Sequence, residues 1–390
     1  DSNFKRSSTV DKILSNSIPC YTEIFQKGNF IGTFQFEQVG MGKLAKEVKV
    51  KNFTELADCN ALYRPSALHS GQASLYIKRS QTGEDNIPYH PLLKEITQKT
   101  KNVIIYQEQI MKILYSIGKM SWSTAEMSRK VITKVRGNKA LEKLRVEFMK
   151  NAVEMSGLSE DEAEKIFNVV TNAGSYCFNA SHSYAYSILS YWTAWLKYYY
   201  PTHFFSALLR HENNEKSIFD YIQDAKKFLV NIEYPEINMS EENYVVRDGK
   251  IYSGLVSIKK IADRTAKKIV SGQPYCSIED FRKRCKVSDE IFKGLAVSGA
   301  FRCFQVNKKS IFFGQNFDED FSEIEEAKLI FQYTKIIPNF DIKKSFNFGD
   351  LKFTNISDLS EIDGDKHRIV RGIVTEQLNK DKLLRIDELK

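Results

Sequence analysis

The sequence predicts a mainly α protein, in which a large helical domain is followed by a compact unit of short helices and a truncated β segment. Apolar residues recur at intervals of three and four positions over much of the first two hundred residues, which is typical of amphipathic helices. Strand-like patterns are confined to residues 367–387. Because two strands alone cannot bury a core, this last domain is predicted to be incomplete.

The composition of the 390 residues indicates a globular chain of two or three domains, since 42% are hydrophobic and 27% charged. The formal net charge of +8 suits a polyanionic partner without requiring one. The six cysteines lack C-x-x-C spacing, so we expect no zinc site, no disulfide framework and a reduced, cytoplasmic compartment. No apolar run reaches the roughly 18–20 residues that span a bilayer. The N-terminus lacks the apolar stretch of a signal peptide and an initiating Met, so the chain is expected to be a fragment or a split subunit.

The first strong helical signals lie after a predicted loop at residues 81–91. A buried helix is predicted to begin at Val103 and to run through residue 117. Ser123 and Glu126 have the spacing of a capping box, so the next helix is expected to start there and to end at Gly137. Its predicted apolar stripe comprises Ala125, Met127, Val131, Ile132 and Val135. The predicted outer face comprises Arg129, Lys130, Thr133, Lys134 and Arg136.

Two further helices are predicted over residues 138–172, followed by a long amphipathic helix that Pro201 ends. The apolar stripe of that long helix is predicted to comprise Ala185, Ile188, Leu189, Trp192, Trp195, Leu196 and Tyr199. Further along, Ser277 and Ser288 are predicted N-caps of short helices, after a helix over residues 262–270. Residues 305–345 are polar and predict a linker with one helical patch.

One local charge cluster is informative. Between Lys112 and Lys150 there are ten Lys and Arg but three Glu. A helix face that carries Arg129, Lys130, Lys134 and Arg136 could neutralise phosphates. A solvated helix face with no ligand is the equally weighted alternative.

Two short motifs are candidate binding elements. The turn that contains Asn179, Ser181 and His182 opens the long helix, where backbone amides favour an anion and a histidine can donate to a phosphate. The alternative is that Asn179 or Ser181 merely caps the helix. Arg64 precedes a proline-fixed turn and suits contact with phosphate or carboxylate, while an internal salt bridge to a glutamate explains it equally well.

Several catalytic signatures are absent from the sequence. There is no phosphate-binding loop of the G-x-x-x-x-G-K-[ST] type, no G-x-G-x-x-G turn and no Ser/His/Asp nucleophile signature. No D-x-D pair suited to two metal ions is found either, and the acidic run at residues 318–320 lies in the predicted linker. We therefore expect no catalytic and no metal-binding residues in this chain.

Four collinear segments resemble the family of the bacterial DNA polymerase III alpha subunit, the C-family replicative DNA polymerases. Residues 31–71 (IGTFQFEQVGMGKLAKEVKVKNFTELADCNALYRPSALHSG) resemble the opening of the fingers domain, and VIIYQEQIMKIL resembles I-I-L-Y-Q-E-Q-V-M. EMSRKVITKV is similar to R-R-A-M-x-K-K. YCFNASHSYAYSILSYWTAWLKYYYPTHFFSALL is similar to G-F-N-K-S-H-S-x-A-Y-x-x-x-S-Y-x-T-A-x-L-K-x-x-Y-P-x-x-F. More weakly, IYSGLVSIKKIADRTAKKIV resembles a helix-hairpin-helix region and HRIVRGIVTEQ the first strand of an OB-fold.

The resemblance implies an order of domains and a set of nucleotide-binding and DNA-binding residues. It implies fingers at residues 1–215, a helix-hairpin-helix region at 216–305, a linker at 306–345 and an incomplete OB-fold at 346–390. The implied nucleotide-binding residues are Arg64, Arg129, Lys130, Asn179, Ser181 and His182. The implied DNA-binding residues are Lys134, Arg136, Lys259 and Lys260.

The family's two metal ions are held by three aspartates of a preceding palm domain, which this sequence lacks, so Mg²⁺ is expected to be bound outside the chain. The resemblance therefore implies a DNA-directed DNA polymerase part that is inactive alone. Its implied partners are primer-template DNA, dNTP, the palm, and the sliding clamp with other replisome subunits. A non-catalytic nucleic-acid-binding module is the alternative, and an unrelated helical scaffold is a more distant one.

The sequence departs from the family pattern at three places. The family's R-P-G-P turn is RPSA here, beginning at Arg64, and the family's lysine after the asparagine is Ala180. The G-V-G hairpin is replaced by residues 259–262, which contain no glycine. Since glycine permits close approach of backbone amides to a phosphate, Lys259 and Lys260 are expected to replace that contact by charge.

Overall fold

The computed structural model describes residues 18–84, 90–134, 139–334, 372–377 and 384–388. The chain divides into two compact units: unit 1 comprises Asp1–Leu208 and Gln223–Val230, and unit 2 comprises Leu209–Ile222 and Asn231–Lys390. Among the described residues no helix is both long and apolar enough to cross a membrane. The mainly α fold predicted from the sequence is confirmed.

Unit 1 consists of helices around two cores. Its elements are the π-helical α1 (Cys20–Gln26), α2 (Val39–Val48), α3 (Phe53–Leu62), α4 (Pro65–His69), α5 (Gln72–Thr82), α6 (Pro91–Thr97), α7 (Gln107–Ser116), α8 (Trp122–Lys134), α9 (Lys139–Ser156), α10 (Glu160–Ala173) and α11 (Ala180–Tyr199). The residues of α12 (Pro201–His211) and α13 (Glu215–Lys227) are divided between the two units.

In the first core α11 packs against α3 and α1, and α2 packs against the same two helices. Small polar residues of α11 make this close contact possible because their hydroxyls find acceptors or donors on α3. The Ser183 hydroxyl donates to the Ala57 carbonyl at 2.6 Å, and the Asn60 amide donates to the Ser187 hydroxyl at 2.6 Å. Burial of polar groups is tolerated when each is hydrogen-bonded in this way.

The predicted apolar stripe of α11 is wrong. The residues that α11 buries are Ser183, Ser187, Ser190, Tyr191, Ala194 and Lys197. The exposed apolar and aromatic side chains include Ala185, Tyr186, Leu189, Trp192, Leu196 and Tyr199, while Ile188 and Trp195 are partly buried. The pattern misled because the inner face consists of small side chains that fit against α3, so the larger apolar residues remain on the surface.

The second core joins α7, α8, α9 and α10, and it corrects two predictions. The helix expected from Val103 begins at Gln107, because residues 103–105 are not helical and the extended Tyr106 pairs with Phe178 in a parallel bridge. The helix expected at Ser123 begins at Trp122, because the Ser121 hydroxyl accepts from the Thr124 amide at 3.1 Å. The two helices predicted over residues 138–172 are present as α9 and α10.

The predicted faces of α8 are also corrected. Ala125, Ser128 and Ile132 form its buried line, whereas Met127 is 58% exposed. Arg129 is only partly exposed, so it does not lie on an open outer face. Buried positions spaced three and four residues apart place Met127 on the opposite side of the helix. Val135, Arg136 and Gly137 lie outside the described residues.

Unit 2 combines a small sheet with short helices. β1 (Ile232–Glu233), β3 (Lys250–Tyr252) and β2 (Val245–Arg247) lie side by side in that order. The helices that follow are α14 (Asp263–Ser271), α15 (Ile278–Arg284), α16 (Asp289–Val297), α17 (Lys308–Phe313) and α18 (Glu323–Tyr333). Ser277 and Ser288 cap α15 and α16 as predicted, and Phe281, Phe292 and Phe301 form the centre of the core.

The two strands predicted near the end of the chain are present as an antiparallel pair, β4 (Gly372–Gln377) and β5 (Leu384–Glu388). The remainder of the predicted OB-fold segment lies outside the described residues. The domain boundaries and the OB-fold stay predictions. Within the predicted linker, α17 and α18 contact α16.

Candidate functional site

Two helices of unit 1 begin side by side. The Phe178 amide donates to the Ile105 carbonyl at 2.9 Å, and the Gln107 amide donates to the Phe178 carbonyl at 2.8 Å. This short pairing fixes the start of α7 beside the start of α11. Helix N-termini carry partial positive charge, so the pairing concentrates that charge in one place.

An open pocket of about 600 Å³ lies at the N-terminus of α11 and is lined by Phe178, Asn179, Ser181, His182 and Ala185. The two rings of the lining form a row with Tyr186: the Phe178 and His182 rings meet edge to face at 5.3 Å, and the His182 and Tyr186 rings are 4.2 Å apart. The pocket therefore combines an aromatic wall with exposed hydroxyl, amide and imidazole groups.

Several donors of the first turn of α11 are already engaged. The Asn179 side-chain oxygen accepts from the His182 amide at 2.9 Å and from the Ser181 hydroxyl at 2.6 Å. The Glu108 carboxylate accepts from the Ala180 amide at 3.0 Å. Asn179 is thus the N-cap, and a carboxylate from α7 compensates the helix dipole. An anion in this pocket would have to be bound chiefly by side chains.

Arg64 contacts Phe178, which lines the pocket. Its guanidinium stacks over the Phe178 ring at 4.1 Å and donates to the carbonyls of Tyr176 at 2.7 Å and Ala61 at 3.0 Å. Burial lowers the pKa of Arg64 from its ordinary value. In the described part of the chain its hydrogen-bond partners are carbonyls and not the glutamate that the salt-bridge alternative required, so no described carboxylate neutralises its positive charge.

Arg129 is held in a hydrogen-bonded network. It donates to both carboxylate oxygens of Glu126, at 3.0 and 2.9 Å, and to the Gln107 side chain at 2.9 Å. Lys130 lies 3.3 Å from the same carboxylate. The hydrogen bond from Arg129 lowers the pKa of Glu126 to about 2, with Lys130 contributing. Arg129 therefore reaches the pocket region through Gln107, while Lys130 lies on the exposed side of α8.

The predicted nucleotide-binding residues fall into three groups. Asn179, Ser181 and His182 line the pocket. Arg64 adjoins it through Phe178, and Arg129 and Lys130 are connected with it through Gln107 and Glu126. Sequence reasoning missed Gln107, Glu108 and Phe178; the signal available was the polar Gln107, Glu108, Gln109 run directly after an apolar, β-branched stretch.

The predicted DNA-binding residues lie elsewhere. Lys134 ends α8 and Arg136 lies outside the described residues. In unit 2, Lys259 and Lys260 form the turn that precedes α14, and Lys260 has a left-handed φ of 69°. The Lys259 amide donates to the Tyr333 carbonyl at 2.8 Å. The turn can therefore contact a phosphate through lysine side chains, whereas a glycine turn would do so through its backbone amides.

The described residues do not fit a catalytic metal ion. In the part of the chain that the structure describes, no group of three His, Cys, Asp or Glu side chains is placed to hold one. Carboxylates near the pocket are engaged with nitrogen donors: Glu108 with the Ala180 amide and Glu126 with Arg129.

Comparison with known proteins gives two matching family descriptions. The "Bacterial DNA polymerase III alpha subunit finger domain" matches residues 4–156, and the "Helix-hairpin-helix motif" matches residues 229–311. The two matches lie in the order that the sequence motifs predicted.

Two curated relatives match about nine-tenths of the chain, and a third matches a shorter part. The DNA polymerase III subunit alpha of Aquifex aeolicus (strain VF5) is 30% identical over 92% of this chain and 33% of its own length. The corresponding protein of Borreliella burgdorferi (strain ATCC 35210 / DSM 4680 / CIP 102532 / B31) is 33% identical over 90% of this chain and 31% of its own length. That of Mycoplasma genitalium (strain ATCC 33530 / DSM 19775 / NCTC 10195 / G37) is 36% identical over 60% of this chain and 26% of its own length. The chain thus spans about a third of the length of the first two relatives.

Proposed function

This chain belongs to the bacterial DNA polymerase III alpha subunit family, and from that premise we propose that it binds the incoming deoxynucleotide and primer-template DNA within a DNA-directed DNA polymerase of DNA replication. The observation that carries the proposal is the pocket at the N-terminus of α11, where His182 and Ser181 lie beside an aromatic wall. Replication of the chromosome would place the protein in the cytoplasm.

The chemistry of nucleotide addition explains why such residues suffice. Phosphoryl transfer depends on positioning and on neutralising charge more than on covalent catalysis. In the proposal, His182 donates a hydrogen bond to the triphosphate, and Ser181 does so when its hydroxyl turns from Asn179 to the phosphate. The Arg64 cation, stacked on Phe178 of the pocket lining, adds attraction. Asn179 keeps the first turn of α11 in place, since its side chain is the N-cap. Arg129 and Lys130 add positive charge from α8.

Mg²⁺ has no fitting ligand set among the described residues. We propose that the metal is held by carboxylates of a palm domain outside them. When bound, the metal would stabilise the charge that develops on the phosphates. The residues of this chain would bind and orient the nucleotide, and the palm would perform the chemistry.

The exposed apolar side of α11 supports a palm partner. Leu189, Trp192, Leu196 and Tyr199 share one side of the helix and are each about two-fifths exposed. A contiguous apolar surface of this kind is typical of a protein contact. The proposed partners also include the sliding clamp and other replisome subunits, and the helix-hairpin-helix turn with Lys259 and Lys260 is proposed to hold the DNA backbone.

Direct binding by this chain tests the pocket. A deoxynucleoside triphosphate is titrated by calorimetry into the chain with primer-template DNA, alongside the deoxynucleoside without phosphates. We expect the triphosphate to bind more tightly and His182→Ala to weaken it about tenfold, because a hydrogen bond to a charged group contributes about 1.5–3 kcal/mol. His203→Ala is the control, since His203 is exposed on α12. If the His182→Ala variant binds the triphosphate as tightly as the unmodified chain does, the pocket is not the nucleotide-binding site.

A further inference from the structure

We propose that Tyr115 and Trp122 form a platform on which a base of single-stranded DNA stacks, close to the candidate nucleotide pocket. This inference rests on the proposed function and deepens it, since it assigns a place for the unpaired template strand. It is independent of the residues that line the pocket.

The two rings form an exposed and firmly supported pair. Their centroids are 5.8 Å apart at an interplanar angle of 77°, and the residues are 52% and 50% exposed. Leu114 and Ala125, which lie on the same two helices as the rings, are fully buried. A rigid, half-exposed aromatic pair can receive a base without first becoming ordered, which lowers the entropic cost of binding.

The turn that carries the platform is fixed by α9. The Asn151 side chain donates to the Gly118 carbonyl at 2.9 Å, and the Ser156 hydroxyl donates to the Ile117 carbonyl at 2.8 Å. These bonds hold the turn between α7 and α8 against α9, so the platform is supported by tertiary contacts of the second core.

The charge of the segment that carries the platform favours a nucleic acid over a basic or neutral partner. Lys112 and Lys119 are exposed, and the sequence between Gln109 and Ala125 contains no acidic residue. Lys112 lies three residues before Tyr115 on α7, so the two side chains share a face. Glu126, the first acid to follow, is engaged by Arg129 and Lys130. Aromatic side chains among lysines are typical of single-strand binding.

The position of Tyr115 along α7 determines which nucleotide of the template strand would reach the platform. Glu108 contacts the first residue of α11 at the pocket, and Tyr115 follows seven residues later on the same helix. At 1.5 Å per residue this is a separation of about 10 Å. With about 3.4 Å per stacked nucleotide, the platform lies roughly three nucleotides from the pocket.

The test measures the affinity of the chain for DNA at low salt by fluorescence anisotropy. The probes are a single-stranded oligothymidylate of twelve nucleotides, a blunt duplex, and primer-templates whose template overhang is one or six nucleotides. Trp122→Ala and Tyr115→Ala are compared with Trp122→Phe, which keeps a ring. Met127→Ala is the matched control, because Met127 is 58% exposed on the same helix and has no aromatic ring.

We expect Trp122→Ala to weaken binding of the oligothymidylate and of the six-nucleotide overhang about tenfold, in line with the loss of one stacked base. Binding of the blunt duplex and of the one-nucleotide overhang should stay within about twofold of the unmodified chain. Trp122→Phe should retain most of the affinity, and Met127→Ala should bind like the unmodified chain. Tyr115→Ala should follow the pattern of Trp122→Ala with a smaller loss.

Two results would overturn the platform. One is an oligothymidylate affinity that Trp122→Ala leaves unchanged, and the other is an equal loss on the blunt duplex. If the unmodified chain binds the duplex while either result holds, the platform fails and the proposed function stands. If the unmodified chain binds no DNA at low salt, the DNA-binding part of the proposed function fails with it.

Discussion

The two sides of α11 carry the reverse of the chemistry expected of a surface helix. The inner side buries serine hydroxyls and the ammonium group of Lys197, while the outer side exposes leucine, tryptophan and tyrosine. The Lys197 ammonium donates to the carbonyls of Asn29 at 2.8 Å and Ile31 at 2.7 Å, and it lies 2.5 Å from the Asp224 carboxylate. Polar bonds therefore hold the helix in one position.

The two sides of α11 therefore have different roles: one holds the helix in place, and the other is available to contact a partner. The inner side fixes the position of α11, and hence of the pocket at its N-terminus, through specific hydrogen bonds. The outer side keeps apolar surface available for another protein surface. Substitutions on the inner side should therefore lower the free energy of unfolding, whereas substitutions on the outer side should leave it almost unchanged.

The largest expected effect comes from Lys197. Replacing it by methionine leaves the buried Asp224 without its closest partner, so we expect Lys197→Met to lower the free energy of unfolding by about 3–5 kcal/mol. Lys227→Met is the control: Lys227 also contacts Asp224, at 3.0 Å, but it is largely exposed and should cost less than about 1 kcal/mol. Urea unfolding followed by circular dichroism measures both. Similar losses for the two variants would contradict a special role of the inner side.

The second expected effect is that Asp58 makes the free energy of unfolding depend on pH. Asp58 lies on α3 beneath α11 and accepts from the hydroxyls of Tyr76 at 2.7 Å and Tyr106 at 2.8 Å. Burial raises the pKa of its carboxyl from the ordinary 3.8 to about 7, against the lowering effect of these hydrogen bonds. Glu55 adds to the rise and Lys101 opposes it.

Because the folded-state pKa is raised, the contribution of Asp58 is fully present below about pH 4 and is lost as the pH rises through about 7. The difference corresponds to about 4 kcal/mol at most. Asp58→Asn should flatten the unfolding free energy between pH 4 and pH 7, measured by urea titrations at several pH values. A profile with the same slope in both proteins would show that Asp58 is not the group responsible.

A smaller difference in stability is expected between substitutions of one residue from each side of α11. Ser187 is fully buried against Asn60, so Ser187→Leu should overfill this contact and cost about 1–3 kcal/mol. Leu189 is 42% exposed, and Leu189→Ser should cost less than about 1 kcal/mol. Thermal melts of the two variants give the comparison. A larger loss for Leu189→Ser would reverse the assignment of inner and outer sides.

The sequence predicted the existence of most helices because their caps and breakers act locally. Ser277, Ser288 and Pro201 mark helix boundaries through bonds or ring geometry within one turn. The faces of α8 and α11 could not be predicted in the same way, because they depend on which helix packs alongside. A spacing of small residues, Ser183, Ser187, Ser190 and Ala194, was the available sign that α11 approaches a neighbour closely.

The candidate site was predicted in part. The turn at residues 179–182 was identified from its residue types and from the family motif, and it lines the pocket. The contacts of Glu108 with Ala180 and of Arg64 with Phe178 join segments that are 72 and 114 residues apart in the sequence. Such pairings follow from tertiary structure, which spacing within one segment does not reveal.

The central claim is that the pocket at the N-terminus of α11 binds the triphosphate of the incoming nucleotide. Its most direct test is single-nucleotide incorporation by the palm-complete polymerase carrying His182→Ala, with His203→Ala as the control. The account predicts that the KM for the nucleotide rises about tenfold or more in the first variant and stays unchanged in the second. The same KM and kcat in His182→Ala as in the unmodified polymerase would contradict it.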